Sequence, residues 1–188
     1  LLAAYETVED HFAAHSMHCY FLRAGDASVP IELEVDPIRN GRSFCTRRVV
    51  ARQRGEAIFN TSISYHVEEE GMSHSLNMPE VISPEEAMRL NAERDGLLPH
   101  SLLDLFGVER ERITERLPEA QAPVSQSWYR VIGPFEGCLR TQQAALAMIS
   151  DFSLYSTAFS AFPYERPEKV FVGASLDHAI WFHDIPKM

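Results

Sequence analysis

The most informative candidate for chemistry is an aspartate inside an apolar stretch. Asp151 stands in the run Met-Ile-Ser-Asp-Phe at 148–152. A carboxylate in apolar surroundings costs free energy unless it is paired or hydrogen-bonded, and perturbed carboxylates concentrate at active sites. Two interpretations follow from the residues alone. Asp151 is a functional carboxylate, or it lies on a narrow solvent-exposed helix face with Gln143 and Ser150.

A serine, an aspartate and a histidine stand close together near the end of the chain, as Ser175, Asp177 and His178. Their types suggest a nucleophilic triad, but the Gly-x-Ser-x-Gly pattern of a nucleophile elbow is absent from this segment. If the segment is a strand, Ser175 and His178 point to opposite faces, whereas Ser175 and Asp177 share one. The residues alone therefore predict no triad and favour an ordinary strand serine at position 175.

Two histidines, His15 and His18, raise the question of a metal site. On a strand this spacing turns them to opposite faces, and no cluster of cysteines or carboxylates completes a ligand set. The cysteines, Cys19, Cys45 and Cys138, show no Cys-x-x-Cys spacing. We therefore expect structural histidines, no metal ion, and a reducing compartment rather than a disulfide scaffold.

The charge of the chain excludes one class of partner. The 188 residues carry a formal charge of −10, and an acidic chain lacks the clustered cations that bind nucleic acid. No apolar run approaches the roughly 20 residues of a membrane-spanning helix. One basic cluster is an exception, made of Arg39, Arg42, Arg47, Arg48, Arg52 and Arg54. We favour solvated strand faces for these arginines, while a site for a polyanionic ligand stays open.

The first part of the chain has the pattern of an antiparallel sheet. We predict the end of a helix over 1–14, followed by strands. The strands are predicted at 17–22, 31–36, 43–53 and 59–67. Alternation of apolar and polar residues indicates strands with one wet face, and Asn40-Gly41 is a strong hairpin signal. A second turn is predicted at Arg54-Gly55, so the strands form a meander.

The second part of the chain begins after a proline-punctuated stretch over 68–124, which we interpret as an ordered connector with a capped helix from Ser83. Strands are predicted from Ser127 to Ile132 and over 170–183. Between them, residues 139–158 lack Gly and Pro and are rich in Ala, Leu and Met, which predicts one buried helix. A helix beside antiparallel strands in both parts predicts an α+β fold built from a duplicated unit.

Several runs of the sequence resemble the type II, TesB-like acyl-CoA thioesterases. They are HSMHCYFLRAGD at 15–26, RNGRSF at 39–44, TRRV at 46–49, AIF at 57–59, Met78-Pro79, SLDH at 175–178 and WFH at 181–183. These runs occur in the family's order, and the similarity covers nearly the whole chain apart from the connector. One departure follows His183, where the family's usual Arg-Pro-Phe is replaced by Asp184-Ile185-Pro186.

The resemblance implies a double hotdog, in which two antiparallel sheets in one chain each wrap a long helix. On this basis we expect a first repeat over 1–78, a connector over 79–124 and a second repeat over 125–188. The fold is expected to be incomplete at both ends, with an opening strand before Leu1 and further strands after Met188. Sheets of this family commonly associate edge to edge, which implies a homo-oligomer.

The resemblance also implies a catalytic set of an aspartate, a serine or threonine, and a glutamine. Asp151 and Ser175 match the first two positions, and the glutamine is expected on a strand beyond residue 188. Asp151 would act as general base on a water molecule that Ser175 orients against the thioester carbonyl. Backbone N–H groups would stabilise the oxyanion. No metal or cofactor is required, and the residues that bind the acyl chain are not identified.

The implied activity is hydrolysis of fatty acyl-CoA, in the cytoplasm or, in a eukaryotic cell, the peroxisome. One alternative is a non-catalytic acyl-CoA-binding protein of the same fold, since a fold does not fix function. Another is a hotdog hydratase acting on enoyl-CoA. That chemistry needs an Asp and a His close together, and Asp177 and His178 are predicted on opposite strand faces, so we rank it last.

Overall fold

The computed structural model describes residues 1–94, 108–112, 119–131, 137–152, 154–162 and 173–184. In chain order its elements are α1 (Leu2–Tyr5), β1 (Phe12–Phe21), β2 (Glu32–Asn40), β3 (Phe44–Gln53), β4 (Glu56–Val67), α2 (Pro84–Arg94), β5 (Val108–Arg112), β6 (Ser127–Val131), α3 (Leu139–Ile149), α4 (Leu154–Ala158) and β7 (Asp177–Trp181). A 3₁₀ turn over Phe159–Ala161 follows α4. Helices beside antiparallel strands confirm the predicted α+β class.

The main sheet is antiparallel and has the strand order β2-β3-β4-β1-β7. Its meander from β2 to β4 confirms the predicted hairpins at Asn40-Gly41 and at Arg54-Gly55. Arg54 and Gly55 have φ values of 51° and 80°. This left-handed region is open to glycine, whereas Arg54 adopts it at some cost in free energy. A left-handed pair suits a tight hairpin because its twist matches that of the flanking strands.

One face of the main sheet, here called the inner face, is covered by α1 and α3. Tyr5 of α1 packs edge to face on Tyr65 of β4, with 5.0 Å between ring centroids. Ile63 and Tyr65 are 0% exposed, and burial of such a side chain stabilises the fold by about 1.5–3 kcal/mol. The opposite, outer face carries the intervening residues of β4, Ser62 and Ser64. The strand alternation seen in the sequence therefore separates a core from a polar surface.

The helix predicted over 1–14 is much shorter in the structure. α1 ends at Tyr5, and β1 begins at Phe12. Phe12 and Ala14 are buried because they alternate on the inner face of a strand. The apolar stripe of this segment fits helical and strand spacing alike, since it is too short to separate the two periods. The Tyr5 hydroxyl accepts the Ala14 N–H at 2.7 Å and so ties α1 to β1.

The expectation that His15 and His18 face opposite ways is wrong because β1 contains a bulge. The register between β1 and β4 shifts just before Ser16, and the extra residue changes the alternation. His15 Nε2 lies 2.7 Å from Ser64 Oγ on the outer face. His18 is on the same face, 3.4 Å from an oxygen of Asp177. Within the described ranges, no group of three His, Cys, Asp or Glu residues is placed to hold a metal ion.

One arginine of the basic cluster is buried rather than solvated. Arg47 is 4% exposed on the inner face of β3. Its Nε and Nη2 donate to Oγ1 and O of Thr7, both at 2.8 Å. Its Nη1 donates to the carbonyl oxygens of Arg39 and Thr46, at 3.0 and 3.1 Å. Arg47 therefore ties the segment after α1 to β3, whereas Arg48 lies in an exposed ion pair, as predicted.

The chain divides into two compact units, the first containing the main sheet with α1 and α3. In the second, β5 pairs with β6, which confirms the strand predicted from Ser127. α2 confirms the predicted capped helix, because Ser83 Oγ accepts the Glu86 N–H at 3.2 Å. The predicted strand residues 170–172 lie outside the described ranges, and the repeat boundaries at 78 and 124 stay predictions. Across the residues described, no helix is long and apolar enough to cross a membrane.

The three cysteines are free thiols, and their rates of alkylation test the burial that the structure describes for them. Burial raises the pKa of Cys19 and Cys45, whereas hydrogen bonds with Thr141 lower the pKa of the exposed Cys138. We expect iodoacetamide at about pH 7.5 to alkylate Cys138 about ten times faster than the other two, because the exposed thiolate reacts. Peptide mass spectrometry over time measures the three rates. Cys138→Ser should remove the fast phase, and equal rates at all three thiols would contradict the described burial.

Candidate active site

The candidate carboxylate, Asp151, lies just after the C-terminal end of α3. The helix was predicted to continue to Ala158, but it stops at Ile149, and the chain turns at Ser150 and Asp151. Ser150 Oγ donates to the Ala147 carbonyl at 3.0 Å. Short polar side chains such as these compete with helical backbone bonds, which accounts for a helix end without Gly or Pro. Asp151 therefore lies at the C-terminal end of a helix and not in its middle.

Buried polar contacts fix α3 on the inner face. Gln143 is 3% exposed; its Nε2 donates to the Ala14 carbonyl at 2.8 Å, and its Oε1 accepts the Tyr5 hydroxyl proton. Arg140 Nη2 bonds Asp10 at 2.6 Å, and its guanidinium lies 5.0 Å from the Tyr5 ring centroid. Gln143 is thus on the sheet-facing side of α3. The interpretation that placed it on a solvent-exposed face is wrong.

β7 brings the other candidate residues to the end of α3. It pairs antiparallel with β1, and Cys19 is opposite His178. The Phe21 N–H donates to the Leu176 carbonyl at 3.0 Å, so the contact with β1 continues just ahead of β7. Ser175 precedes the strand, which begins at Asp177. Strict alternation along a strand therefore does not govern the direction of the Ser175 side chain.

Asp151 lies between Ser175 and His178. Ser175 Oγ donates to Asp151 Oδ1 at 2.9 Å, and His178 Nδ1 lies 3.4 Å from the same oxygen. The expected divergence of Ser175 and His178 is wrong, since both reach one carboxylate. Asp177, expected on the face of Ser175, instead pairs with His18 on the outer face. The structure thus brings the two predicted site residues, Asp151 and Ser175, into direct contact.

The Asp151 carboxylate side chain is partly exposed. Its Oδ2 accepts no hydrogen bond from any residue in the described part of the chain, and the side chain is 30% exposed. An ionised carboxylate has about four lone-pair positions, of which Ser175 uses one. Water can therefore reach the Asp151 side chain, and Oδ2 is the oxygen without a partner among the described residues.

His178 was missed as a site residue. It is 9% exposed, its Nε2 lies 3.1 Å from Ser150 Oγ, and its carbonyl accepts a bond from Cys19 Sγ at 3.3 Å. A signal was present in the sequence, because His178 alternates with Ile180 and Phe182 on the inner, apolar face. A titratable group at such a position needs a polar partner, which Ser150 and Asp151 supply.

The nearby thiol is not a nucleophile. Burial is the main reason that the pKa of Cys19 is raised, and the charges of Asp151 and Asp177 raise it further. Cys19 therefore stays a neutral thiol at neutral pH, and the thiolate is the reactive form. Ser175 also lacks a nucleophile elbow, since it precedes a strand and does not stand on a strand-to-helix turn. The contacts fit a carboxylate base and a hydroxyl that act together on water.

Two family models match the chain. Residues 1–66 match the acyl-CoA thioesterase N-terminal domain, and residues 105–188 match the acyl-CoA thioesterase model. Mouse acyl-coenzyme A thioesterase 8 is 34% identical over 97% of this chain. The chain spans 62% of that relative's length.

Solved structures agree with these matches. The acyl-CoA thioesterase II TesB2 of Mycobacterium marinum superposes with a TM-score of 0.77 at 32% identity, covering 97% of this chain and 67% of that one. A hot dog fold protein from Alicyclobacillus acidocaldarius superposes with a TM-score of 0.74 at 19% identity, covering 98% of this chain and 65% of that one. The latter shows the fold alone, and the expected hotdog fold is confirmed. With these matches along its two halves, the chain belongs to the acyl-CoA thioesterase family, in its TesB-like branch.

Proposed function

We propose that the protein hydrolyses fatty acyl-CoA to a free fatty acid and coenzyme A by direct attack of water. The observation that carries this proposal is the 2.9 Å bond from Ser175 Oγ to Asp151 Oδ1, on a carboxylate side chain that is 30% exposed. Family membership supports the substrate class. No metal or cofactor has a part in the proposed reaction.

In the proposed mechanism, Asp151 takes a proton from water while the water oxygen attacks the thioester carbonyl carbon. The tetrahedral intermediate then collapses, the carbon–sulfur bond breaks, and the departing coenzyme A sulfur takes the proton from Asp151. Ser175 donates its hydroxyl proton to Asp151 Oδ1, so its oxygen remains an acceptor that can orient the water. A glutamine as third member, on a strand beyond residue 188, stays a prediction.

Ser175 gives the first test. We expect Ser175→Ala to lower kcat about 10–100-fold with KM nearly unchanged, because the base remains but the water is poorly oriented. Release of coenzyme A thiol in steady state measures both constants. Ser175→Thr keeps the hydroxyl and is the matched control, expected to retain most turnover. Wild-type kcat in Ser175→Ala would remove this residue from the mechanism.

A series of acyl-CoA substrates separates the enzyme from the non-catalytic alternative. Thiol release that depends on acyl-chain length supports hydrolysis. Binding of acyl-CoA without any release would favour a binding protein. Mass spectrometry of the protein after rapid acid quench tests direct attack, since an acyl-enzyme on Ser175 would be recovered as an ester adduct. An acyl adduct on Ser175 that forms and decays at the rate of turnover would replace the water mechanism with a covalent one.

One observation keeps the enoyl-CoA hydratase as a second candidate. From the sequence it ranks last because the side chains of Asp177 and His178 are predicted on opposite strand faces, and they do lie on opposite faces of β7. However, His178 lies 3.4 Å from Asp151 instead, so an Asp and a His do stand together. Incubation of the same preparation with a medium-chain enoyl-CoA tests this candidate. Hydration faster than thiol release would favour the hydratase.

We also propose that the protein is a homo-oligomer that works in the cytoplasm, or in the peroxisome of a eukaryotic cell. β2 is the last strand at one end of the main sheet, and Leu33 and Ile38 on it are more than half exposed. The unpaired backbone groups of an edge strand are a template for pairing with another chain. The buried free thiols Cys19 and Cys45 support a reducing compartment. Sedimentation velocity tests the oligomeric state.

A further inference from the structure

We propose that His178 is a positioning residue that holds the Asp151 carboxylate in the orientation needed for hydrolysis. This inference rests on the proposed function and assigns a role to a residue outside the expected set of Asp, Ser or Thr, and Gln. The imidazole touches Asp151 on one side and Ser150 on the other. It therefore acts through Asp151 and not on the substrate.

Each ring nitrogen of the His178 imidazole has a polar neighbour. Nδ1 lies 3.4 Å from Asp151 Oδ1, and Nε2 lies 3.1 Å from Ser150 Oγ. The Ser150 hydroxyl also lies 3.0 Å from the Ala147 carbonyl and has one proton for these two acceptors. Because a carboxylate oxygen only accepts, the contact with Asp151 requires the imidazole proton on Nδ1, and Nε2 then accepts the Ser150 proton. This bond fixes the ring plane and leaves Nδ1 as the nitrogen that faces Asp151.

Burial makes this arrangement rigid. The His178 side chain is 8% exposed, whereas that of Asp151 is 30% exposed. The His178 backbone is held by β1, through the pairing with Cys19 and the 3.3 Å bond from Cys19 Sγ to the His178 carbonyl. A ring fixed in this way blocks rotation of the carboxylate toward the sheet.

These contacts distinguish the two carboxylate oxygens of Asp151. Ser175 and His178 both contact Oδ1, so Oδ2 is the oxygen left for water. Without the ring, the carboxylate could rotate and present either oxygen at a range of angles. A general base must lie within hydrogen-bond reach of the proton it removes, and small misplacements in an active site are costly in rate.

The test is His178→Gln in the full-length protein, with His18→Gln as the matched control. His18 is the same residue type on the neighbouring strand, but it is on the outer face and pairs with Asp177. We expect His178→Gln to lower kcat about 10–100-fold and to leave KM within about twofold, because orientation and not substrate binding is lost. His18→Gln should keep kcat within about twofold of the wild type.

A double-mutant cycle separates positioning from a general structural role. In an Asp151→Asn background, His178→Gln should cause less than about a twofold further loss, because the residue on which it acts is already disabled. A merely structural histidine would lower the residual activity by the same factor in both backgrounds. Equal factors would overturn the proposal. So would wild-type kcat in a folded His178→Gln protein.

Ser150→Ala covers the case in which His178→Gln fails to fold. It removes the hydroxyl that fixes the ring while the buried histidine stays in place. We expect a kcat loss of about 3–10-fold with KM unchanged, smaller than for the histidine because the ring remains. Wild-type kcat in this variant would count against the positioning role. Failure of the proposed hydrolysis itself is seen separately, as the absence of thiol release from acyl-CoA by the wild-type protein.

Discussion

Asp151→Asn is expected to lower kcat/KM for acyl-CoA about a thousandfold, since general-base catalysis contributes about 10²–10⁴ in rate. The amide has the size of the carboxylate, and its oxygen can still accept the Ser175 proton at the 2.9 Å contact. What it loses is the ability to take a proton from water. The variant should therefore fold normally and bind substrate, and single-turnover thiol release should show that the chemical step is lost.

The matched control is Asp177→Asn. This carboxylate stands two positions after Ser175, but it faces outward, is 57% exposed and pairs with His18 at 3.4 Å. Its replacement should leave kcat/KM within about twofold, because exposed ion pairs contribute little, about 0–1 kcal/mol. Near-wild-type turnover in Asp151→Asn would remove Asp151 from the role of base. Equal losses in both variants would indicate a general field effect of acidic residues near the site.

The largest expected effect on stability belongs to Arg47→Met. Methionine keeps most of the buried stem but leaves the acceptors of Thr7, Arg39 and Thr46 without their donors. A buried acceptor that loses its partner costs about 1–3 kcal/mol. Removing a buried charge offsets part of this cost. We expect the free energy of unfolding in urea to fall by about 3 kcal/mol.

Arg48→Met is the matched control for this measurement. It is the next residue on β3, its side chain is 55% exposed, and it pairs with Asp36 at 3.1 Å. An exposed pair of this kind contributes about 0–1 kcal/mol, so the unfolding midpoint should barely move. Similar losses for Arg47→Met and Arg48→Met would show that the buried contacts of Arg47 do not stabilise the fold.

The meander was predictable because β3 and β4 each bury one face. The alternation of β4 is visible in the sequence, and Asn40-Gly41 and Arg54-Gly55 mark the turns. The end of α3 at Ser150 was not predictable, because no Gly or Pro marks it. The bulge before Ser16 was not predictable, because it depends on pairing with a distant strand, β4. The same holds for Arg47, which appears as one of several neighbouring arginines and is buried only by its bonds to Thr7. Local pattern fixes which face of a strand is buried, while tertiary contacts decide where an element begins or ends.

The candidate site was predictable only in part. Asp151 stood out as a carboxylate in apolar sequence, but its contact with Ser175 followed from family resemblance and not from spacing. His178 was placed on the wrong side of the site because the strand was assumed to include Ser175. In the structure β7 starts at Asp177. Ser175 therefore stands two residues ahead of the strand, and an argument from alternation does not apply to it.

The pairing of β1 with β7 has a consequence for synthesis on the ribosome. β1 can pair with β4 once residue 67 has emerged, but its other edge waits for Ala179 and its neighbours, which pair with His18 and the residues beside it. At about 5–20 residues per second, that edge stays open in the nascent chain for roughly ten seconds. Contacts of such high contact order form late, so the long-range contacts of Asp151 assemble at the end of folding. A nascent chain that stalls before β7 would present a paired meander without the candidate site.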